Sequence, residues 1–307
     1  MSDQYRDKTV GFVGLGMMGG PMAENLVRKG HPVVVYDIDP SKVDRLAAFG
    51  AEQGLGPVDV ARRSRVMISM VDTTAQAEEV IVGTEGFIEA AQPGDVIVSM
   101  STIDPMAVRN MAAKLSSKGI DLIDSPVTGM EKGAKDGTLK AYVGGKPEAL
   151  DKARPVLESM TSQILHLGET GNGIAMKLVN NMLFQVNRIL IAEALALGAK
   201  VGLNPEQMVE VISNTTGNSL AFQYSAPRIL AREFDGIRMD ITYKDIELQT
   251  SLAKSVKMPM FMANTAQQVY QMARAAGLGN EDGVAVVKVY EQFTGVPVVS
   301  KESRQRG

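Results

Sequence analysis

The sequence predicts an α/β domain built on a doubly wound, mainly parallel sheet, followed by an all-α domain, the two joined by a long helix. Three observations carry this. Short β-branched runs alternate with helical runs as far as His166; only helical patterning follows; and between the two lies an apolar run, Gly171–Lys200. Strands alternating with helices build parallel sheets covered on both faces, whereas consecutive helices with no strand build a separate helical core. With 307 residues, 45% of them hydrophobic and 22% charged, the chain is long enough for two such cores. The expected division is residues 1–168 for the sheet domain and 169–307 for the helical one, which begins with the inter-domain helix over 173–200.

Composition excludes several classes of function. A net charge of −3 gives no electrostatic footprint for a nucleic acid. The small basic cluster Arg62, Arg63 and Arg65 reads as solvated surface. Without cysteine there is no disulfide frame, no thiol nucleophile and no thiolate metal site, and His31 and His166 are too scattered for a histidine site, so no metal is expected. The apolar run is interrupted by Lys177, Asn180, Asn181, Gln185, Asn187 and Arg188, too many polar groups for a membrane span. The N-terminus carries no signal-peptide core. A cytoplasmic address and no membrane partner are the expectation.

The chain opens with a predicted strand, Thr9–Gly14, which runs into Gly14-Leu15-Gly16-Met17-Met18-Gly19. A helix over Pro21–Lys29 follows, then a strand over Pro32–Tyr36 ending at Asp37. A bare GxGxxG is weak evidence. Set between a strand and a helix, with an acid just past the next strand, it reads as the Rossmann-type dinucleotide fingerprint. Gly14 allows the tight turn, Gly16 lets backbone approach a pyrophosphate, and Gly19 lets helix and strand touch. The helix start supplies N–H donors to the phosphates. Asp37 can accept from both ribose hydroxyls and would repel a 2′-phosphate, and no arginine follows it directly, so NAD is expected rather than NADP. Further strands are predicted at Arg65–Met70, Asp95–Ser99, Asp121–Asp124 and Leu139–Val143, with Gln163–His166 closing the sheet. Helices are predicted at Thr74–Val82 and Pro105–Lys118, with Thr102 or Asp104 capping the second. Ligands of such sheets sit at the C-terminal strand ends. Val71-Asp72, Ser101-Thr102 and Ser125–Gly129 should therefore face cofactor or substrate.

Gly171–Lys200 is apolar on nearly every side, as a helix buried among other elements would be. At about 1.5 Å per residue it would span roughly 40 Å. Lys177 and Asn181 stand one turn apart on it, with Asn180 beside them. Burying an unpaired ammonium is costly, so this lysine needs a reason, and a working acid is the one the pattern offers. Beyond it, helices are predicted from Asn204-Pro205-Glu206, where Asn204 caps and Pro205 takes the first position, and at Ser219–Arg232, Ile241–Lys257, Met260–Ala276 and Asp282–Phe293. Val298–Gly307 is polar and expected to fray.

Four stretches in order resemble the β-hydroxyacid dehydrogenase family over about residues 8–297. They are GFVGLGMMGGPMAENLVRKGH (Gly11–His31), DSPVTGMEKGAKDGTL (Asp124–Leu139), the GxGxxxKxxNN pattern at Gly171, Gly173, Lys177, Asn180 and Asn181, and Lys244-Asp245 on a late helix. The resemblance implies an NAD-dependent oxidoreductase that interconverts a small 3-hydroxy acid and its semialdehyde or keto form. Lys177 would be the general acid/base, its pKa lowered by an apolar cleft and a nearby nicotinamide cation. Asn181 would hold the reacting oxygen or the substrate carboxylate. Ser101, Thr128, Gly129, Met130 and Asn180 would line the substrate. Thr102, Val71 and Asp72 would lie by the nicotinamide, and Lys244 would reach cofactor and substrate. The resemblance also implies a homodimer or homotetramer.

The chain departs from the family in the substrate loop. Thr128 stands for serine and keeps the hydroxyl. Met130 stands for the second glycine, where positive φ is tolerated poorly by a side chain. Either the loop bends differently or it presents a bulky wall. Asn218 stands where relatives often carry a basic or polar group, and Val71-Asp72 where they often carry Leu-Pro. The rival readings are weaker. Tyr142…Lys146 spells the short-chain dehydrogenase YxxxK, but two glycines interrupt it. Malate-type enzymes need a histidine with a paired acid, and zinc enzymes need thiolates. On the same fold, an imine reductase or a serine-type amino-alcohol dehydrogenase is the serious alternative. A non-catalytic dinucleotide-binding protein would have no use for Lys177, Asn181 and Lys244 together.

Overall fold

The structure is a computed structural model and describes residues 6–306. The chain divides into two compact units, one up to Lys177 and one from Leu178 onward.

The first unit contains a six-stranded sheet: β1 (Val10–Val13), β2 (Val33–Tyr36), β3 (Glu52–Gln53), β4 (Val66–Ser69), β5 (Val96–Ser99) and β6 (Asp121–Asp124), in the order β3-β2-β1-β4-β5-β6. Every neighbouring pair is parallel. The order reverses at β1, and the crevice between β1 and β4 at their C-terminal ends is where such sheets take a ligand. Central strands buried on both faces read as near-continuous apolar runs, as VGFV and VIVS do. Phe12, Val35, Ile68, Val98 and Ile123 share one core with Leu26 of α1 (Gly19–Arg28). Each such side chain, fully buried, contributes roughly 1.5–3 kcal/mol.

The helices α2 (Pro40–Ala48), α3 (Pro57–Arg63), α4 (Thr74–Val82) and α5 (Pro105–Ser116) complete the crossovers. Thr73 and Gln76 form a reciprocal capping box on α4, and Asp104, not Thr102, caps α5 through the Met106 N–H. Arg62, Arg63 and Arg65 each face an acid, in Asp59, Glu52 and Asp7.

Two expectations about this unit are overturned. The predicted strand Leu139–Val143 does not join the main sheet, and Thr161–His166 (β9), which contains the predicted closing strand Gln163–His166, does not close it. Instead β9 pairs in parallel with β8 (Leu139–Val143), which pairs antiparallel with β7 (Val127–Thr128), making a second, three-stranded sheet. Ser162, Gln163 and His166 are exposed along β9, and a strand half polar in this way has no place among strands buried on both faces. Helices α6 (Met130–Asp136) and α7 (Pro147–Glu158) flank it.

Helix α8 (Asn172–Lys200) runs from the first unit into the second. By length and composition it is apolar enough to cross a membrane, and half of its most apolar stretch is buried inside the protein. The second unit continues with α9 (Pro205–Ser213), α10 (Leu220–Ala231), α11 (Met239–Ser255), α12 (Phe261–Ala275), a 3-10 turn at Gly283–Val286, α13 (Val287–Thr294) and α14 (Lys301–Arg306). Asn204 caps α9 by accepting from Glu206 and Gln207, with Pro205 at the first position. The expected fraying after Val298 is not seen: Val298 is buried and a short helix follows, while Gly307 lies outside the described residues. Polar side chains of α8 meet partners in the unit's interior. Gln185 accepts from Gln249 Nε2 at 2.7 Å, and the wholly buried Arg188 lies 3.9 Å from the equally buried Asp282 and over the Phe184 ring.

Candidate active site

The glycine turn after β1 shows what each of its glycines does. Gly14 has φ +96°, and a Cβ on it would lie 2.2 Å from the Met70 carbonyl oxygen; a Cβ on Gly19 would lie 2.0 Å from the Gly14 carbonyl oxygen. These two are required by the protein itself, for turn and for helix–strand contact. Gly16 differs, since a Cβ there would meet nothing within 4 Å. The fold alone does not require that glycine, and the open space beside it is where a pyrophosphate would approach backbone. Leu15 is buried, Met18 half-buried and Met17 exposed.

Asp37 follows β2 and braces this turn. Its Oδ2 accepts from the Leu15 N–H at 2.6 Å, and its Oδ1 accepts from the Asp39 N–H at 2.9 Å with Lys42 Nζ at 3.4 Å. A carboxylate has about four acceptor positions, so ribose hydroxyls can still be taken. Turn, open space and carboxylate together fit a dinucleotide.

The tails of β4 and β5 are tied together, because Ser101 Oγ accepts from the Val71 N–H at 2.8 Å. Ser101 is thereby buried, whereas Thr102 is half-buried and Asp72 exposed. The Asp72 N–H donates to Gln76 Oε1 of α4.

The substrate loop and Lys177 meet in this unit. Lys177 Nζ donates to the Val127 carbonyl oxygen at 2.8 Å. Thr128 follows, half-buried, then Gly129 with φ +135°, where a Cβ would crowd Leu139. Met130 holds φ +60° and the residue is 38% exposed. Of the two alternatives the sequence left open, the loop keeps the left-handed backbone and presents the side chain.

Two acids outside the expected site set hold segments that carry its members. Asp124 is wholly buried; its Oδ1 accepts from the Gly171 N–H at 2.6 Å and its Oδ2 from the Ile174 N–H at 2.7 Å. Burial pushes this carboxyl above the ordinary carboxylate range, against the opposing pull of those N–H groups. In the second unit, Asp245 accepts from Asn181 Nδ2 at 2.9 Å and pairs with Lys244 at 3.4 Å. An ionised carboxylate only accepts, so the Asn181 amide must turn its nitrogen to Asp245 and its oxygen away. Asn180 is half-buried. Both acids sit inside motifs legible in the sequence, but nothing in their spacing marks them as supports.

Several rival constellations are dispersed. Tyr142 is on β8 and Lys146 caps α7, paired with Asp121, so no helix face carries both. His31 Nε2 lies 2.8 Å from Ser159 Oγ and His166 Nε2 2.8 Å from the Gly145 carbonyl oxygen, and among the described residues neither forms an ion pair with an acid.

Residues 9–168 match the family described as the NAD binding domain of 6-phosphogluconate dehydrogenase, and residues 171–290 the family described as NAD-binding of NADP-dependent 3-hydroxyisobutyrate dehydrogenase. The chain is 40% identical to 2-(hydroxymethyl)glutarate dehydrogenase of Eubacterium barkeri, over 94% of this chain and 97% of that one. The chain belongs to the β-hydroxyacid dehydrogenase family. This family member is also 33% identical to an NAD-dependent L-serine dehydrogenase of Pseudomonas aeruginosa, over 94% and 99% of the two chains. Its fold superposes on a Mycobacterium tuberculosis 3-hydroxyisobutyrate dehydrogenase structure described with L-serine, with TM-score 0.86, 32% identity and coverage of 92% and 98%. It is an NAD-dependent hydroxyacid dehydrogenase.

Proposed function

We propose that this dehydrogenase oxidises the terminal hydroxyl of a small 3-hydroxy carboxylate to the semialdehyde, and runs the reverse reduction, with Lys177 as general acid/base. The observation that supports this most is the seat of Lys177. Its Nζ is hydrogen-bonded to a carbonyl of the substrate loop, so the proton-handling group and the loop are registered to each other.

Bound NAD⁺ supplies the acceptor for the hydride leaving the carbinol carbon. The neutral amine of Lys177 takes the hydroxyl proton as the C–H bond breaks, and in reduction the ammonium returns it. Asn181, one turn along α8 and fixed through Asp245, keeps a second N–H and its carbonyl oxygen for the substrate. Thr128 and Gly129 would offer hydroxyl and backbone to the carboxylate, and Ser101, Met130 and Asn180 are the further residues assigned to the substrate. Val71, Asp72, Thr102 and Lys244 complete the cofactor side. Asp37 favours NAD over NADP, because a 2′-phosphate would face its charge. The enzyme is read as cytoplasmic and homo-oligomeric.

L-Serine, itself a 3-hydroxy acid, is the second reading, favoured by the likeness to the L-serine dehydrogenase. The test is a panel of 3-hydroxyisobutyrate, 2-(hydroxymethyl)glutarate, glycerate and L-serine with NAD⁺ or NADP⁺, followed by absorbance. Turnover of one member with NAD⁺ preferred is expected, together with a loss of at least about 100-fold in kcat for Lys177→Ala while NAD still binds. Unchanged turnover in that variant would remove Lys177 from the chemistry, and preference for NADP⁺ would overturn the assignment of Asp37.

A further inference from the structure

Asp124 ends β6 where the two sheets of the first unit join. Its N–H donates to the Gly144 carbonyl at 3.0 Å, and its own carbonyl accepts from the Gly144 N–H at 2.9 Å. Its carboxylate then turns into the start of α8 and takes the N–H groups of Gly171 and Ile174. The first turn of a helix has N–H groups with no partner inside the helix. A short local side chain usually supplies one acceptor; here a buried residue from a distant strand supplies two.

Two glycines make room for it. A Cβ on Gly144 would lie 2.5 Å from Asp124 Oδ1, and a Cβ on Gly173 would lie 2.8 Å from Oδ2 and 2.2 Å from the Tyr142 carbonyl oxygen. Gly173 thus lets the helix start settle directly onto the carboxylate. Lys177 stands one turn beyond Ile174, and its ammonium bonds to Val127, three residues beyond Asp124. One short segment therefore grips α8 twice, through the backbone at its start and through the lysine.

We propose that Asp124 is the positioning residue for Lys177: its carboxylate fixes the depth and rotation of the first turn of α8, and so the point to which the ammonium is delivered. This rests on the reading of Lys177 as the acid/base. A displacement near 1 Å at a reacting group costs on the order of 100-fold in rate, so small losses of register should be visible in turnover.

The test compares wild type, Asp124→Asn and Lys177→Ala. Asparagine keeps the shape but sets an amide N–H₂ against one of the two backbone donors. The expected result for Asp124→Asn is a fall of about 10- to 100-fold in kcat, KM for NAD within about twofold, and a displaced pH limb. The substrate is whichever of 3-hydroxyisobutyrate, 2-(hydroxymethyl)glutarate or L-serine the wild type oxidises. Acetylation of Lys177 by acetic anhydride in the cofactor-free protein, read by mass spectrometry, should also change rate. A merely structural cap would lower thermal stability and leave kcat per folded molecule, pH limb and acetylation rate where they were, and that result would overturn the proposal. If Asp124→Asn does not fold, Asp124→Ser, which keeps one acceptor and admits a water, takes the same readouts. Lys177→Ala separates the two ideas. Activity in Lys177→Ala overturns the acid/base reading, whereas an inactive Lys177→Ala beside a wild-type-like Asp124→Asn overturns only the positioning role.

Discussion

At the scale of single residues, the three glycines of the β1 turn divide by what would meet a side chain. A methyl group at Gly19 would drive into the Gly14 carbonyl, but one at Gly16 would enter open space. Gly16→Ala should therefore leave the melting temperature of the cofactor-free protein nearly unchanged and weaken NAD binding by tenfold or more, about 1.4 kcal/mol. Gly19→Ala should destabilise the fold by roughly 1–3 kcal/mol. Calorimetry with and without NAD reads both, and equal destabilisation by the two variants would refute the assignment of Gly16 to the ligand. Met130 is the converse case, a side chain where the backbone favours glycine. A non-glycine residue held left-handed costs about 1–2 kcal/mol, and glycine gives back part of that through chain entropy. Met130→Gly should raise stability by up to about 1 kcal/mol and shift the order of kcat/KM values across the hydroxy-acid panel. A more stable variant with the same order would mean that the methionine faces no substrate.

At the scale of elements, most of the fold was legible because its signals are local. The strands at Asp121–Asp124 and Leu139–Val143 and the helix at Thr74–Val82 were predicted to the residue, and Asn204-Pro205 marked its helix start without ambiguity. Asp39-Pro40 carries the same kind of signal for α2, with Asp39 accepting from the Ser41 N–H. What local signals could not carry was partnership. Gln163–His166 reads as a strand, but the pairing of Thr161–His166 with β8 instead of the main sheet is a tertiary choice. The candidate site divides in the same way. Lys177, Asn181 and the glycine turn were visible as motif positions, whereas the supporting roles of Asp124 and Asp245 arise from contacts 50 and 64 residues apart. Arg188 is a further case, since no periodicity announces an arginine in the middle of a helical core. Its guanidinium occupies the space a side chain at position 283 would need: a Cβ on Gly283 would lie 1.9 Å from Nη1. Gly283→Ala should cost about 1–3 kcal/mol, and much less in an Arg188→Met background, where the guanidinium is gone. Denaturant melts of the two single variants and the double variant measure this coupling. Additive losses would show that the two positions do not compete for the same space.

At the scale of the whole molecule, the helical unit carries a row of exposed leucines along α8. Leu183, Leu190 and Leu197 are 60%, 52% and 64% exposed and recur every seven residues along α8, so they line one face. A single exposed leucine needs no explanation. Three on one helix face over roughly 21 Å form a row that an interface would cover. A second copy of the chain is the simplest cover, because a two-fold contact lets the same strip serve both partners. Light scattering of the wild-type protein should then give a dimer or tetramer, and Leu190→Arg, which sets like charges against each other in such a contact, should shift it to monomer at micromolar concentration with the far-UV spectrum unchanged. The change is confined to an exposed side chain, so lost assembly with intact helix content would place the contact on this face. An assembly unaffected by the arginine would move the interface elsewhere on the helical unit, where Phe261 and Met262, 75% and 65% exposed, are the next positions to change.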